Sequence, residues 1–294
     1  VLALVLLTLC GCEVLDTLEV SGLSLGPGMR GISSGQLAAV RKIGESFRDI
    51  TPEQEYYIGR SVGATLVTNY QPWRRDAAED YLNLLGQALA QFSELPQTFG
   101  GYHFLVLDSE EINAFAAPGG LVFVTRGLLR CCPDEDSVAA VLAHEIGHVQ
   151  HRHGLQAIKK NRLSSAFAVL GTESAKAYGS RELAALTTAF EGSVQDTVTT
   201  MTNIGYSRAF EREADVAAVT ILRRSGYNPA ALVTMLTEMK KRLAPGSSGF
   251  GRTHPAPDDR INELRPLLPA ADAPLQNKLP AARQQRLTRA LKGV

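Results

Sequence analysis

The chain has 294 residues, 45% of them hydrophobic and 20% charged, an ordinary composition for one large globular domain or two small ones. Thirty Lys and Arg balance thirty Asp and Glu, so the formal net charge is zero. That balance excludes a global field drawing nucleic acid or anionic lipid to the chain, and no nucleic-acid partner is expected.

The opening stretch, "VLALVLLTLCGC", is apolar or small up to Cys12. It is too short to span a bilayer but has the length of a signal-peptide core. Its end, Leu9-Cys10-Gly11-Cys12, resembles the bacterial lipobox, in which the final Cys is lipidated and becomes the mature N-terminus. With neither an initiator Met nor a basic flank, the sequence reads as trimmed at its front. The resemblance implies a signal-peptide remnant over 1–11 and a lipid anchor on Cys12. It places the chain in the periplasm, tethered to the bacterial outer membrane. An ordinary cleaved signal with an incidental Cys12 is the alternative. Residues 12–35 read as the anchor and its linker, Gly/Ser-rich from 21 onward. Of the four cysteines only the adjacent pair Cys131-Cys132 then remains, and a bridge between neighbours is strained. Two free thiols at the foot of a helix are expected.

Thr51, Pro52 and Gln54 form a capping-box signature that opens a helix. A second helix is expected over about 75–93, with Tyr81, Leu85, Leu89 and Phe92 on one stripe. The period then shortens: "YHFLVLD" (102–108), "INAFAA" (112–117) and "LVFVTRG" (121–127) read as strands separated by Ser/Glu and Pro-Gly-Gly turns. Pro133 and the acids Asp134, Glu135 and Asp136 open the next helix, with negative charge at its positive end, and Gly154 is its expected stop. Residues 155–200 read as helical, and a helix over 207–224 is closed by Gly226. Another helix starts at Asn228-Pro229, "PGSSGFGR" (245–252) is a flexible loop, and a short helix follows Pro257. The tail, with Arg283, Arg286, Arg289 and Lys292, reads as the solvated face of a short helix and carries no tetratricopeptide pattern. The result is an α+β, mainly helical chain, with a domain over 36–270 and a basic helical tail over 271–294.

"VLAHEIGHVQHRHG" (141–154) holds four of the six histidines. Burying His144, Glu145 and His148 in so apolar a run costs several kcal/mol unless a partner compensates them. His144 and His148 are four apart, so a helix projects both rings from one face at zinc-chelating separation. Glu145 sits beside the first, where it can activate a zinc-bound water. His151 shares that face but lies about 10 Å further along the axis, and His151 and His153 are read as structural. The better third ligand is Glu211 in "GYSRAFEREADVAAV", four residues before Asp215 on one helix face. Glu211 can complete a His₂Glu set, and Asp215 can accept the free N–H of a ligand imidazole. Asp215 otherwise sits among Ala214, Val216, Ala217 and Ala218, a poor place for an unpaired charge. Glu213 is expected to point away and be solvated.

"NAFAAPGGLVFVTRGLL", "VLAHEIGHV", "YSRAFEREAD" and "THPAPDDRI" follow one another in the chain. In that order they resemble the zinc metallopeptidase family that includes the heat-shock protease HtpX, the CAAX prenyl protease and BepA. The likeness covers about residues 50–268, and the chain looks like the soluble periplasmic branch. It implies a zincin-like fold with a small sheet whose edge strand flanks the active-site helix. It implies one zinc per chain, held by His144, His148 and Glu211, with Glu145 as general base and Asp215 behind the ligands. The implied activity is a zinc-dependent endopeptidase of the bacterial cell envelope that cleaves unfolded or misassembled proteins. Residues 112–117 would pair with an extended substrate backbone, and Gly119 and Gly120 would permit close approach or simply make a turn. Tyr206 and Arg208 are candidate oxyanion donors, with helix capping and a salt bridge as alternatives. The resemblance also places His254 near the metal. There it is expected to plug the zinc at rest, with an oxyanion donor or a loop-capping residue as alternatives. The rival class is a chaperone-like envelope lipoprotein whose zinc holds the fold, and a closed four-ligand site would mark it.

Overall fold

A computed structural model describes residues 50–158, 191–243, 253–268 and 281–294. The lipobox, the linker, most of 155–200 and the 245–252 loop lie outside the described residues. Helix α1 (Pro52–Asn69) opens on the expected capping box: Gln54 N–H donates to Thr51 Oγ1 at 3.2 Å, and Thr51 N–H donates to Gln54 Oε1 at 2.9 Å. Helix α2 (Asp76–Ala90) buries Tyr81, Leu85 and Leu89, but Phe92 lies beyond its end and is exposed.

Strands β1 (His103–Leu107), β2 (Ala114–Ala117) and β3 (Leu121–Thr125) form one sheet in the order β1-β3-β2, with β3 parallel to β1 and antiparallel to β2. The outer edge of β1 is closed by side chains and by the preceding loop. Asn83 of α2 bonds both the N–H (3.0 Å) and the carbonyl (2.7 Å) of Phe104, while Trp73 N–H donates to the Val106 carbonyl at 2.8 Å. Between β2 and β3, Gly119 (φ 76°) and Gly120 (φ 97°) make a turn that other residues resist. That turn is pressed onto α1. A Cβ on Gly59 would fall 1.8 Å from the Pro118 oxygen, and Gly119 N–H donates to the buried Glu55 carboxylate at 3.3 Å.

Helix α3 (Glu135–Gln150) carries the histidine motif and is buried all round, from Glu135 to Val149, because it runs through the core. Its N-cap is Asp134, whose carboxylate accepts from Ser137 N–H at 2.8 Å. The helix does not reach Gly154. It ends at Gln150, Arg152 turns left-handed (φ 55°), and the chain restarts as a one-turn helix over His153–Gln156. Arg152 is held there by Glu55, with Nε 3.2 Å from Oε2. Gly154 lies inside that turn against the Pro118 ring, so its small size serves packing rather than termination.

Helix α4 (Arg208–Ser225) is capped by Ser207 and closed by Gly226 in the left-handed region. It packs along α3 at a contact only glycine allows: a Cβ on Gly147 would lie 2.8 Å from the Ala214 carbonyl oxygen. Helix α5 (Ala231–Arg242) begins later than Asn228-Pro229, because the Asn228 side chain accepts from Ala230 N–H and makes a turn first. Helices α6 (Pro257–Leu264) and α7 (Ala281–Ala290) follow among the described residues.

The tail is not merely a solvated face. Arg283 and Arg286 on α7 pair with Asp136 (3.2 Å) and Glu135 (2.7 Å) at the start of α3, and Arg283 lies over the Tyr227 ring. The Tyr81 and Tyr227 hydroxyls also donate to Glu135, so this buried carboxylate is fully compensated at a helix N-terminus. Cys131 and Cys132 are free and buried. Burial pushes both thiols up, Cys131 to about 11, away from reactivity. Among the described residues no helix is long and apolar enough to cross a membrane.

Candidate metal centre

The close approach of α3 and α4 puts Glu211 and Asp215 opposite the two motif histidines. His144 Nε2 and His148 Nε2 are 3.2 Å apart. Glu211 Oε2 lies 3.6 Å from the first, and its Oε1 lies 3.4 Å from the second. His254 reaches in from the segment before α6, with Nδ1 2.7 Å from Glu211 Oε2. One ligand atom from each of His144, His148, Glu211 and His254 lies within 4.8 Å of the others, and all four residues are buried. A tetrahedral zinc site holds its N and O ligands roughly 3.3 Å apart, given bonds of about 2.0–2.1 Å.

A cation fits this cluster for a further reason. Glu211 is 1% exposed, yet its Oε1 has no hydrogen-bond partner. A buried carboxylate oxygen left bare is costly, and a divalent metal would take its lone pair. Imidazole nitrogens with a carboxylate are a donor set that suits zinc.

The electrostatics agree. Burial alone would raise the Glu211 carboxyl, but His254, His144 and His148 outweigh it and hold the group well below the usual range. Burial pushes His148 down to about 4, leaving a neutral ring with a lone pair to give. Burial and Arg260 would lower His144, but hydrogen bonds to Asp215 and Glu211 overcome them and lift it to about 9. Metal binding would therefore release a proton from this ring.

Behind the cluster, His144 Nδ1–H donates to Asp215 Oδ1 at 2.9 Å. Asp215 is gripped in turn by Arg260 of α6, through Nε to Oδ2 (3.0 Å) and Nη2 to Oδ1 (2.6 Å). Against the upward push of burial, Arg260 draws the Asp215 carboxyl down to about 2. Arg260 is the residue that sequence reasoning left without a role. Its signal was present: it shares the buried face of α6 with Ile261 and Leu264, and a buried guanidinium demands a carboxylate.

Glu145 is buried one residue from His144 and lines a cavity with Ala114, Phe115 and Ala116 of β2, Tyr206, Thr253 and His254. Its volume, about 10 Å³, holds roughly one water and no peptide. Tyr206 stacks on His148 at 4.6 Å, and its hydroxyl is buried without a hydrogen-bond partner. Arg208 instead lies on the surface, paired with Asp259. Of the remaining motif histidines, His151 is exposed and His153 is fully buried. Glu213 is not simply solvated, because its Oε2 sits 3.0 Å from His153 Nε2.

The chain matches the profile of Peptidase family M48 over residues 76–268. It is 30% identical over 227 residues to the beta-barrel assembly-enhancing protease of Escherichia coli strain K12, an alignment covering 73% of this chain and 44% of that protein. The protein of the same name from Yersinia pestis is 28% identical over 258 residues, covering 80% and 51%. The mitochondrial metalloendopeptidase OMA1 of Schizosaccharomyces pombe is 34% identical over 167 residues, covering 54% and 44%. The chain spans about half the length of the curated relatives it matches.

Removing Arg260 takes the guanidinium from the buried Asp215 carboxylate and leaves it the His144 ring. Arg260→Leu is expected to lower unfolding free energy by about 3–5 kcal/mol in urea titrations of the metal-free protein. A loss below about 1 kcal/mol would show that Asp215 is compensated by other groups.

Proposed function

Because the chain belongs to peptidase family M48, we propose that it is a zinc-dependent endopeptidase of the bacterial cell envelope, acting on unfolded or misassembled envelope proteins. The observation that carries this reading is one arrangement: a buried His144–His148–Glu211 cluster with Glu145 beside it, facing strand β2. In this reading His144, His148 and Glu211 hold one zinc, and Asp215 fixes His144. When bound, zinc supplies a Lewis acid that polarises the scissile carbonyl and lowers the pKa of water toward neutrality. Glu145 takes the proton of the attacking water and returns it to the leaving amine. The Tyr206 hydroxyl, buried without a hydrogen-bond partner beside the same cavity, is the candidate donor to the developing oxyanion.

Strand β2 is the proposed guide for substrate. The outer edge of β1 is occupied by Asn83 and Trp73, whereas β2 lines the Glu145 cavity. Pairing with β2 would read main chain rather than side chains, which suits substrates of mixed sequence. The cavity admits no peptide as it stands, so the Met201–Tyr206 and Thr253–His254 segments that line it must move aside. His254, hydrogen-bonded to Glu211 at rest, is the proposed plug. The assembly-related name of the bacterial relatives, together with the lipobox resemblance at Cys12, supports a periplasmic site on the outer membrane, anchored by lipid on Cys12.

One observation favours a second reading. Four donor residues converge, and a closed four-ligand set is the mark of structural zinc in a chaperone-like lipoprotein. Two substitutions separate the readings. Glu145→Gln should keep one zinc and the fold but lose at least about 100-fold in casein hydrolysis, the loss expected for a general base. Unchanged turnover in the zinc-loaded variant would sink the mechanism. His254→Ala should raise basal proteolysis while zinc is retained. A large fall would make His254 the oxyanion donor, a role worth about 3–4 kcal/mol. If neither His254→Ala nor the parent cleaves, the structural-zinc reading stands instead. For the anchor, Cys12→Ser should move the protein from the membrane fraction to the soluble periplasm, and a variant still in the membrane pellet would refute lipidation at Cys12.

A further inference from the structure

We propose that His153 and Glu213 are positioning residues that hold His148 in the tautomer able to bind metal, through a relay running from the ligand ring to the surface. The inference rests on the reading of His148 as a zinc ligand. His148 Nε2 faces the cluster, 3.2 Å from His144 Nε2 and 3.4 Å from Glu211 Oε1. A neutral imidazole that gives its Nε2 lone pair to a metal must carry its proton on Nδ1. That Nδ1 lies 2.9 Å from Nδ1 of His153. For His148 to donate there, His153 Nδ1 must be bare, and the His153 proton must sit on Nε2. Glu213 Oε2 is 3.0 Å from that nitrogen and accepts.

The opposite arrangement is penalised at its far end. If His148 kept its proton on Nε2, His153 would have to donate from Nδ1. Its bare Nε2 would then face the lone pairs of the Glu213 carboxylate. Glu213 therefore reads out the tautomer of a ring it never touches. The two ligand histidines are thus supported differently: His144 by a buried carboxylate locked to Arg260, and His148 by a second imidazole backed by a half-exposed carboxylate.

The local backbone places His153 for this contact. Arg152 adopts a left-handed conformation that non-glycine residues disfavour, and this brings His153 back against His148 instead of continuing α3 outward. The Glu55 carboxylate holds Arg152 in that turn. The His153 ring is fully buried and lies flat on Phe210, at 4.3 Å and 7°. Phe210 and Glu213 are three apart on α4, so one helix supplies both the stacking surface and the acceptor.

Zinc affinity of the full chain, measured by competition with a chromogenic chelator, tests the relay. His153→Phe keeps a ring on Phe210 but removes the acceptor, and zinc should bind 10–100-fold more weakly, the usual range for losing such a support. His153→Asn, whose Oδ1 can stand where Nδ1 stood, should recover most of that loss. Glu213→Ala, at a half-exposed position that leaves the core intact, should weaken zinc by about tenfold and tests the relay even where His153→Phe does not fold. In the zinc-loaded parent, nitrogen-15 NMR should show His153 protonated on Nε2 and bare on Nδ1. Parent-like affinity in His153→Phe and Glu213→Ala, or a proton on His153 Nδ1, would overturn the relay. A parent that binds no zinc, or a His148→Ala variant that binds it undiminished, would instead overturn the reading of His148 as a ligand.

Discussion

The contact between Gly147 of α3 and the Ala214 backbone of α4 is the constraint on which the candidate site depends. No other residue at position 147 lets the helices meet so closely. Only at that separation does Glu211 stand within reach of His144 and His148, and Asp215 within hydrogen-bond distance of His144. Four ionisable groups are thereby forced into the buried interior. Such a cluster persists only when every member is compensated, because an unmatched buried charge costs several kcal/mol. Arg260 compensates Asp215, and a metal ion is the natural complement for the bare oxygen of Glu211.

The same logic runs outward from the cluster. Support for α3 comes from both ends: Arg283, Arg286 and two tyrosines at Glu135 and Asp136, and the Arg152 turn at the other end. The turn between β2 and β3 is clamped against α1 through Gly59 and Glu55. A rigid helix and a rigid strand therefore flank a cavity whose remaining wall comes from the segments around Tyr206 and Thr253. Those walls touch through Gly205, whose positive φ (81°) lets the chain lie against the Thr253 carbonyl. On the proposed reading, a substrate would reach Glu145 when that contact parts.

Much of this arrangement was legible in the sequence because it follows local rules. The Thr51 capping box, the helix-face spacing of His144 with His148 and of Glu211 with Asp215, and the Pro-Gly-Gly turn all depend on residues a few positions apart. What escaped depends on distant partners. Arg260 meets Asp215 across 45 residues, Glu213 meets His153 across 60, and Arg286 meets Glu135 across 151. Glu213 and Arg286 alone read as solvated charges, and the apolar helix face that Arg260 shares with Ile261 and Leu264 does not name its partner. The end of α3 differs from the sequence reading for a related reason: Gly154 is the residue type of a stop, but the reversal falls on Arg152, where Glu55 stabilises a conformation that glycine usually takes.

X-ray absorption at the zinc edge of the purified full chain tests the central claim most directly, because it reports the atoms around the metal rather than an activity. The account predicts one zinc per chain with a shell of nitrogen and oxygen at about 2.0–2.2 Å and the outer scattering of imidazole rings. A sulfur shell at about 2.3 Å, or a zinc content far from one per chain, would contradict it.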